Sequence, residues 1–275
     1  LVQNPRYAVA ERMELPLDWL PKLWTEANNL GVELLMTPFG IERLVAWVEM
    51  GARAIKIASG DLTHMPLLRA AGASGLPILL ACGMSDTSEV TEALTVIERA
   101  GGRQIALLHC VSRYPPEDAE INLKVIPAMA REHQIPVGLS DHSAGSTAPL
   151  GAAALGASII EKHFTIDRSL AGPDHAFSME ADNFAAMVSE IRRLESMLGD
   201  GMKRPTEAER VAQLARRRSI VATMPMKAGK ILMRDDLKCV RPGGGLTPAF
   251  LPLLIEKKLK RNVREDEMIL MEDVE

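Results

Sequence analysis

Two histidines occupy matching places in the chain: His142 in Leu-Ser-Asp-His and His163 in Glu-Lys-His-Phe-Thr. Each closes a short apolar run, so a parallel sheet would set them side by side at the C-terminal ends of its strands. Two imidazoles there can hold a divalent metal, with water or substrate in the open positions. They can equally be two hydrogen-bonded structural histidines. Asp141 and Glu161, next to them in sequence, are candidates to orient the rings.

Lys56 lies inside an apolar strand, Ala-Ile-Lys-Ile-Ala. Lysine is rarely buried without a partner. Here it can bind an anion, form a Schiff base or pair with an acid. Strand alternation turns Lys56 and Ala58 to one side and Ile55 and Ile57 to the other. Ser59 and Gly60 follow directly, so Lys56 can face a phosphate or carboxylate. Asp61 and Asp174 are loop carboxylates, available as general acid/base groups or sugar-hydroxyl partners, or simply as turn residues. His109 and Cys110 are adjacent on a strand and point to opposite faces, which speaks against a catalytic dyad. Arg241, in Arg-Pro-Gly-Gly-Gly, reads as a solvated loop arginine, and Arg216-Arg217-Arg218 as a solvated hinge.

The elements that must position these residues follow a regular interval. Apolar runs begin near Val32, Ala54, Pro77, Gln104, Pro136 and Ser158, spaced 22, 23, 27, 32 and 22 residues apart. Helical stripes lie between them, including Leu17–Leu30, Thr87–Ala100 and Asp182–Leu198, each followed by glycine. This alternation predicts βα units and a parallel sheet. The polar residues cluster after the strand ends, at Thr37, Ser59–Asp61, Ser112–Tyr114, Ser140–His142 and His163–Thr165. Gly-x-Gly-x-x-Gly is absent, so a (β/α)8 barrel is favoured over a doubly wound sheet.

Composition sets the outer limits. The chain has 275 residues, 32 basic and 36 acidic, with a formal net charge of −4. No apolar run reaches the length of a membrane span. Ten aromatic residues are too few for base-stacking platforms. Three widely spaced cysteines fit a reducing cytosol rather than a disulfide framework. Residues 1–214 carry a balance of −8 and residues 215–275 a balance of +4, which marks a boundary. The expected domains are a partial barrel over 1–200, a polar linker over 201–215 and a small β-rich domain over 216–275.

In order along the chain stand Thr37-Pro-Phe, Lys56-Ile-Ala-Ser-Gly-Asp, Pro66-Leu-Leu and Gly83-Met-Ser. Leu108-His-Cys-Val-Ser-Arg-Tyr-Pro, Gly138-Leu-Ser-Asp-His, Glu161-Lys-His-Phe-Thr, Gly172-Pro-Asp-His-Ala-Phe-Ser and Arg241-Pro-Gly follow. Together these segments resemble the N-acetylneuraminate (sialic acid) synthase family over essentially the whole chain. The last 60 or so residues look like that family's antifreeze-like (SAF) domain. The resemblance implies a TIM barrel, the SAF domain, and a domain-swapped homodimer in which that domain caps the partner's barrel. It implies condensation of phosphoenolpyruvate with an open-chain N-acylmannosamine-type sugar in the cytoplasm, with no nucleic acid or membrane partner. By matching position, His142 and His163 would hold Mn²⁺, or Mg²⁺ or Co²⁺. Lys56, Ser59, Ser112 and Ser140 would hold phosphoenolpyruvate. Asp61, Tyr114 and Asp174 would meet the sugar or a metal-bound water. Arg241 would reach the N-acyl group.

Departures qualify that likeness. Ala81-Cys82-Gly-Met stands where some relatives have Ser-Thr-Gly-Met, Ser112 replaces an asparagine, and Asp61 is one methylene shorter than glutamate. The acceptor can therefore lead to a legionaminic, pseudaminic or spore-coat sugar. The chain opens on Leu1 in the helix before the family's third strand. The expectation is an N-terminally truncated barrel lacking its first two strands, with six βα units present. A metal-dependent aldolase or an inactive binding fragment are the other readings.

Overall fold

The computed structural model describes residues 14–275. The chain divides into two compact units, Leu1–Gly199 and Asp200–Glu275. In the first, α1 (Leu20–Leu30) and α2 (Ile41–Glu49) precede β1 (Ile55–Ile57), α3 (Met65–Ala73), β2 (Ile78–Ala81) and α4 (Thr87–Arg99). Then come β3 (Ile105–Cys110), α5 (Val125–His133), β4 (Val137–Asp141), α6 (Thr147–Ala154), β5 (Ile160–Lys162) and α7 (Ala181–Leu198). The strands pair in parallel and in chain order, β1-β2-β3-β4-β5. Local signals place the helix ends. Gly31, at φ +67°, closes α1, and the Asp86–Glu89 capping box opens α4.

Alternation sorts each strand into two faces. Ile55 and Ile57, Ile78 and Leu80, Leu107 and Leu139 are buried in one core against the helices. The register puts Lys56 beside Leu79, Ala81 beside Leu108, and Cys110 beside Ser140 and then Glu161, all on the opposite face. This sheet is curled. Laid flat, five strands would hold their edges roughly 19 Å apart, too far for side chains to meet. Yet Lys56 on β1 and Glu161 on β5 lie 3.1 Å apart, Nζ to Oε2. The result is an α/β half-barrel of TIM type.

One expectation is corrected. The run from Val32 forms no strand, so the sheet has five strands and not six among the described residues. A single backbone bond, from the Lys56 N–H to the Met36 carbonyl at 3.2 Å, ties it to β1. Val32 and Leu35 are exposed, so the run is not buried on both faces as a central parallel strand must be.

The second unit begins with α8 (Glu207–Arg216), capped by Thr206 and Glu209. That helix occupies most of the segment read as a linker. An antiparallel pair follows, β6 (Ser219–Ala222) with β7 (Leu237–Val240), then the short α9 (Leu251–Leu254). Isolated bridges Met226–Val263, Ile231–Lys258 and Leu259–Val274 wrap a separate core around Ile220, Leu232, Leu237 and Ile269. Among the described residues no helix is long and apolar enough to cross a membrane.

Candidate active site

The concave face of the half-barrel gathers the chemistry. β4 and β5 are neighbours, and each is followed by a histidine facing inward, His142 and His163. Their ring centroids are 5.1 Å apart, at 70°. The Val111 carbonyl lies 2.9 Å from His142 Nδ1. A carbonyl only accepts, so Nδ1 carries the proton and Nε2 keeps its lone pair. On His163, Nδ1 faces Asp174 Oδ2 at 3.6 Å. Tyr114 lies over His142 with centroids 4.0 Å apart, and Phe177 packs on His163 at 5.0 Å.

The protonation balance follows from these neighbours. Burial works against charge on His142, but Cys110 and the Val111 carbonyl outweigh it and raise its pKa. Burial and the nearby His142 lower that of His163, against the pull of Asp174 and Glu161. Burial first, then the negative charges of Cys110, Asp174 and Glu161, push the Tyr114 phenol up, so it stays a donor.

A second group of polar side chains lies on the same face. Lys56 is mostly buried, its side chain 11% exposed, with Glu161 beside it. Ser140 is buried on β4. Ser59, Ser112 and Cys110 converge on Gly83: its N–H donates to Ser59 Oγ at 3.0 Å. A Cβ there would lie 2.4 Å from Ser112 Oγ and 3.1 Å from Cys110 Sγ. Ala81, in this same layer, offers no hydroxyl. Asp61 stands apart from the imidazoles in the turn after β1; its charged neighbour is His64, 3.8 Å away. Burial raises its carboxyl pKa, and His64 opposes that. Arg241 is exposed just beyond β7, in the second unit.

Two sequence expectations about orientation need correction. Asp141 does not touch either imidazole; it pairs with Lys162 at 2.5 Å, both side chains 2% exposed. It is an odd-face residue, one position off the register of Ser140 and His142. Glu161 faces Lys56 rather than a histidine. The groups on the Nδ1 sides are instead the Val111 carbonyl and Asp174.

The site also contains residues that the sequence reading passed over. Cys110, set aside with His109, faces inward with Sγ 3.9 Å from His142 Nδ1. His142, Ser59 and Ser112 together lower its pKa although burial opposes this. His109 turns away to the Ile121 carbonyl, 2.7 Å from Nε2, so the reading against a His109–Cys110 dyad agrees with the structure. Cys82 is the contrast: burial, then Cys110, push its thiol up to about 12. Phe177 gave no signal beyond its place in the loop that carries Asp174.

The histidine pair fits a divalent ion. The Val111 carbonyl holds His142 from the Nδ1 side, and Asp174 lies 3.6 Å from Nδ1 of His163, which leaves the Nε2 atoms for a metal. Among the described residues no group of three or more His, Cys, Asp or Glu side chains forms a fuller ligand set. Any ion here would keep positions open to water or substrate.

Fold and site together define a class: a βα half-barrel whose C-terminal strand ends present two neighbouring histidines, with a buried lysine paired to Glu161 on the same face. Residues 2–203 match the NeuB family and residues 217–275 the SAF domain. The chain belongs to the NeuB family. It is 40% identical to an uncharacterized protein of Methanocaldococcus jannaschii, over 98% of this chain and 80% of that one. It is 34% identical to the N,N'-diacetyllegionaminic acid synthase of Legionella pneumophila, over 99% of this chain and 78% of that one. The solved N-acetylneuraminic acid (sialic acid) synthetase of Leptospira borgpetersenii, in complex with citrate, superposes with a TM-score of 0.72 at 34% identity. That match covers 76% of this chain and 74% of the other. The family is one of acid-synthase enzymes, so the chain is a transferase of NeuB type.

Proposed function

We propose that this chain condenses phosphoenolpyruvate with an open-chain N-acylmannosamine-type sugar and releases phosphate. The carrying observation is the single concave face on which His142 and His163 stand beside Lys56 and Ser140. One subset suits a polarised carbonyl, the other a multiply charged anion.

A divalent ion on the two Nε2 atoms, Mn²⁺ or alternatively Mg²⁺ or Co²⁺, would supply Lewis acidity to the aldehyde oxygen of the sugar. Lys56, with Ser59, Ser112 and Ser140, holds the carboxylate and phosphate of phosphoenolpyruvate. C3 of phosphoenolpyruvate attacks the aldehyde carbon: a C–C bond forms, the C=O π pair moves to the aldehyde oxygen and C2 is left electron-poor. Water adds at C2 and loses one proton to a carboxylate, which returns it to the former aldehyde oxygen; the second hydroxyl proton leaves with the phosphate as the C2–O bond breaks and C2 becomes a ketone. Asp174 or Asp61 takes the first proton or orients the sugar hydroxyls. Tyr114, kept protonated, donates to a sugar oxygen and closes the face over His142.

On this reading the working assembly is a domain-swapped homodimer in the cytoplasm, and Arg241 meets the N-acyl group of the sugar. The identity with the Legionella enzyme favours a second acceptor, the precursor of N,N'-diacetyllegionaminic acid. The test is incubation of the chain with phosphoenolpyruvate, Mn²⁺ and a panel of N-acyl hexosamines. Inorganic phosphate and a nine-carbon acid should form together. A chain that binds Mn²⁺ and phosphoenolpyruvate without turnover on any sugar is a binding module; release of no phosphate alongside pyruvate-dependent aldol product makes it an aldolase.

A further inference from the structure

Asp141 and Lys162 lie behind the histidines, on the face turned away from the cavity. They are register partners at the ends of β4 and β5. The Lys162 ammonium donates to Asp141 Oδ2 at 2.5 Å and also to the Ser143 carbonyl. The Ser143 N–H donates to Asp141 Oδ1 at 2.9 Å. Lys162 thus grips the residues on both sides of His142, while its own C-terminal neighbour is His163. Both charged side chains are 2% exposed.

A fully buried ion pair is a poor device for stability. Apolar side chains of similar size usually serve as well, because desolvation offsets the attraction. What the pair does supply is direction: hydrogen bonds of fixed geometry that hold two strand ends in one register. Alternation requires that a clamp on residues 141, 143 and 162 set the Cα positions of 142 and 163 without touching either ring.

We propose that Asp141 and Lys162 are positioning residues that set the spacing of His142 and His163 for a shared divalent ion. This rests on the metal reading of that pair. The informative variant is Asp141→Asn/Lys162→Met, which removes both charges while Asn Oδ1 can still accept from the Ser143 N–H. Mn²⁺ alone is titrated into the full 275-residue chain and free Mn²⁺ is followed by electron paramagnetic resonance. The thermal melt is recorded alongside.

The expected result is a melting temperature near that of the parent chain with Mn²⁺ affinity weakened about 10-fold or more. Asp141→Asn alone keeps the Ser143 N–H bond to Oδ1 but sets the Nδ2 donor against the Lys162 ammonium and breaks that bond, so it should weaken Mn²⁺ binding as the double variant does. A double variant that melts normally and binds Mn²⁺ like the parent overturns the proposal. So does one too unstable to titrate, since the pair would then be carrying the fold itself. If the parent chain binds no Mn²⁺, the metal reading fails, and metal-free crystal structures decide the clamp. A change of about 1 Å in the 5.1 Å ring separation supports it; an unchanged separation sinks it.

Discussion

Lys56 Nζ and Glu161 Oε2 are 3.1 Å apart although their strands stand at opposite edges of the five-stranded sheet. The contact crosses the concave face rather than running along it. It brings a buried ammonium within reach of the groups around the histidine pair. Its partner is half-open, with 42% of the Glu161 side chain exposed, so an incoming anion can compete for the lysine.

Lys56→Met should therefore weaken phosphoenolpyruvate far more than the sugar. Loss of one charge-assisted contact is worth about 2 kcal/mol, a roughly 30-fold rise in the KM for phosphoenolpyruvate. Steady-state kinetics with each substrate varied in turn checks this. An equal rise in both KM values would place Lys56 in a structural role only.

His142→Ala and His163→Ala should each cut metal-dependent turnover at least about 1000-fold, because the Lewis acid loses one of two protein ligands. Chelation of the unmodified chain should abolish turnover, and Mn²⁺ should restore it. Metal-dependent activity that survives His142→Ala removes the metal role from this site.

Gly83→Ala should perturb both the site and the fold. The new Cβ would fall 2.4 Å from Ser112 Oγ and 3.0 Å from Ser59 Oγ. Overpacking of this kind costs about 1–3 kcal/mol and moves the two hydroxyls proposed to bind phosphoenolpyruvate. Ser112→Ala in the same background should recover part of the melting temperature. A Gly83→Ala chain that binds phosphoenolpyruvate like the parent would show that the hydroxyls are not ligands.

The second unit should be acid-sensitive through Asp273. Arg261 donates from Nε to Oδ1 at 2.5 Å and from Nη2 to Oδ2 at 3.0 Å, which lowers the pKa of that carboxyl, and the Leu270 N–H adds to the effect. A depressed folded-state pKa contributes stability above the unfolded value, about 3.9. That stability is lost as pH falls through the lowered one. Melting of this unit should therefore weaken below about pH 5. Asp273→Asn should cost about 2 kcal/mol at pH 7 and flatten the acid limb. An acid limb of unchanged slope would show that another carboxylate governs it.

Much of the architecture is legible in the sequence. Strand spacing showed the βα rhythm, glycine and capping residues marked helix ends, and the inward turn of Lys56 followed from alternation with Ile55 and Ile57. These are local properties, decided by φ/ψ preference and by a period of two. The composition of the run from Val32 suits a strand, but pairing depends on what lies beside it. Among the described residues it makes one backbone bond to β1, packs Leu34 and Met36 on the core and leaves Val32 and Leu35 exposed.

Sequence by itself determined which residues end the strands, and hence that His142 and His163 stand side by side. Only the tertiary structure decided their partners. The curl of the sheet, a sum of small twists over five strands, gave Glu161 to Lys56 instead of to a histidine. Burial made Asp141 and Lys162 each other's counterion. A carbonyl from Val111, whose side chain carries no chemistry, became the group that orients His142. Partners across a sheet are set by geometry accumulated over many residues, and no spacing along the chain encodes that directly.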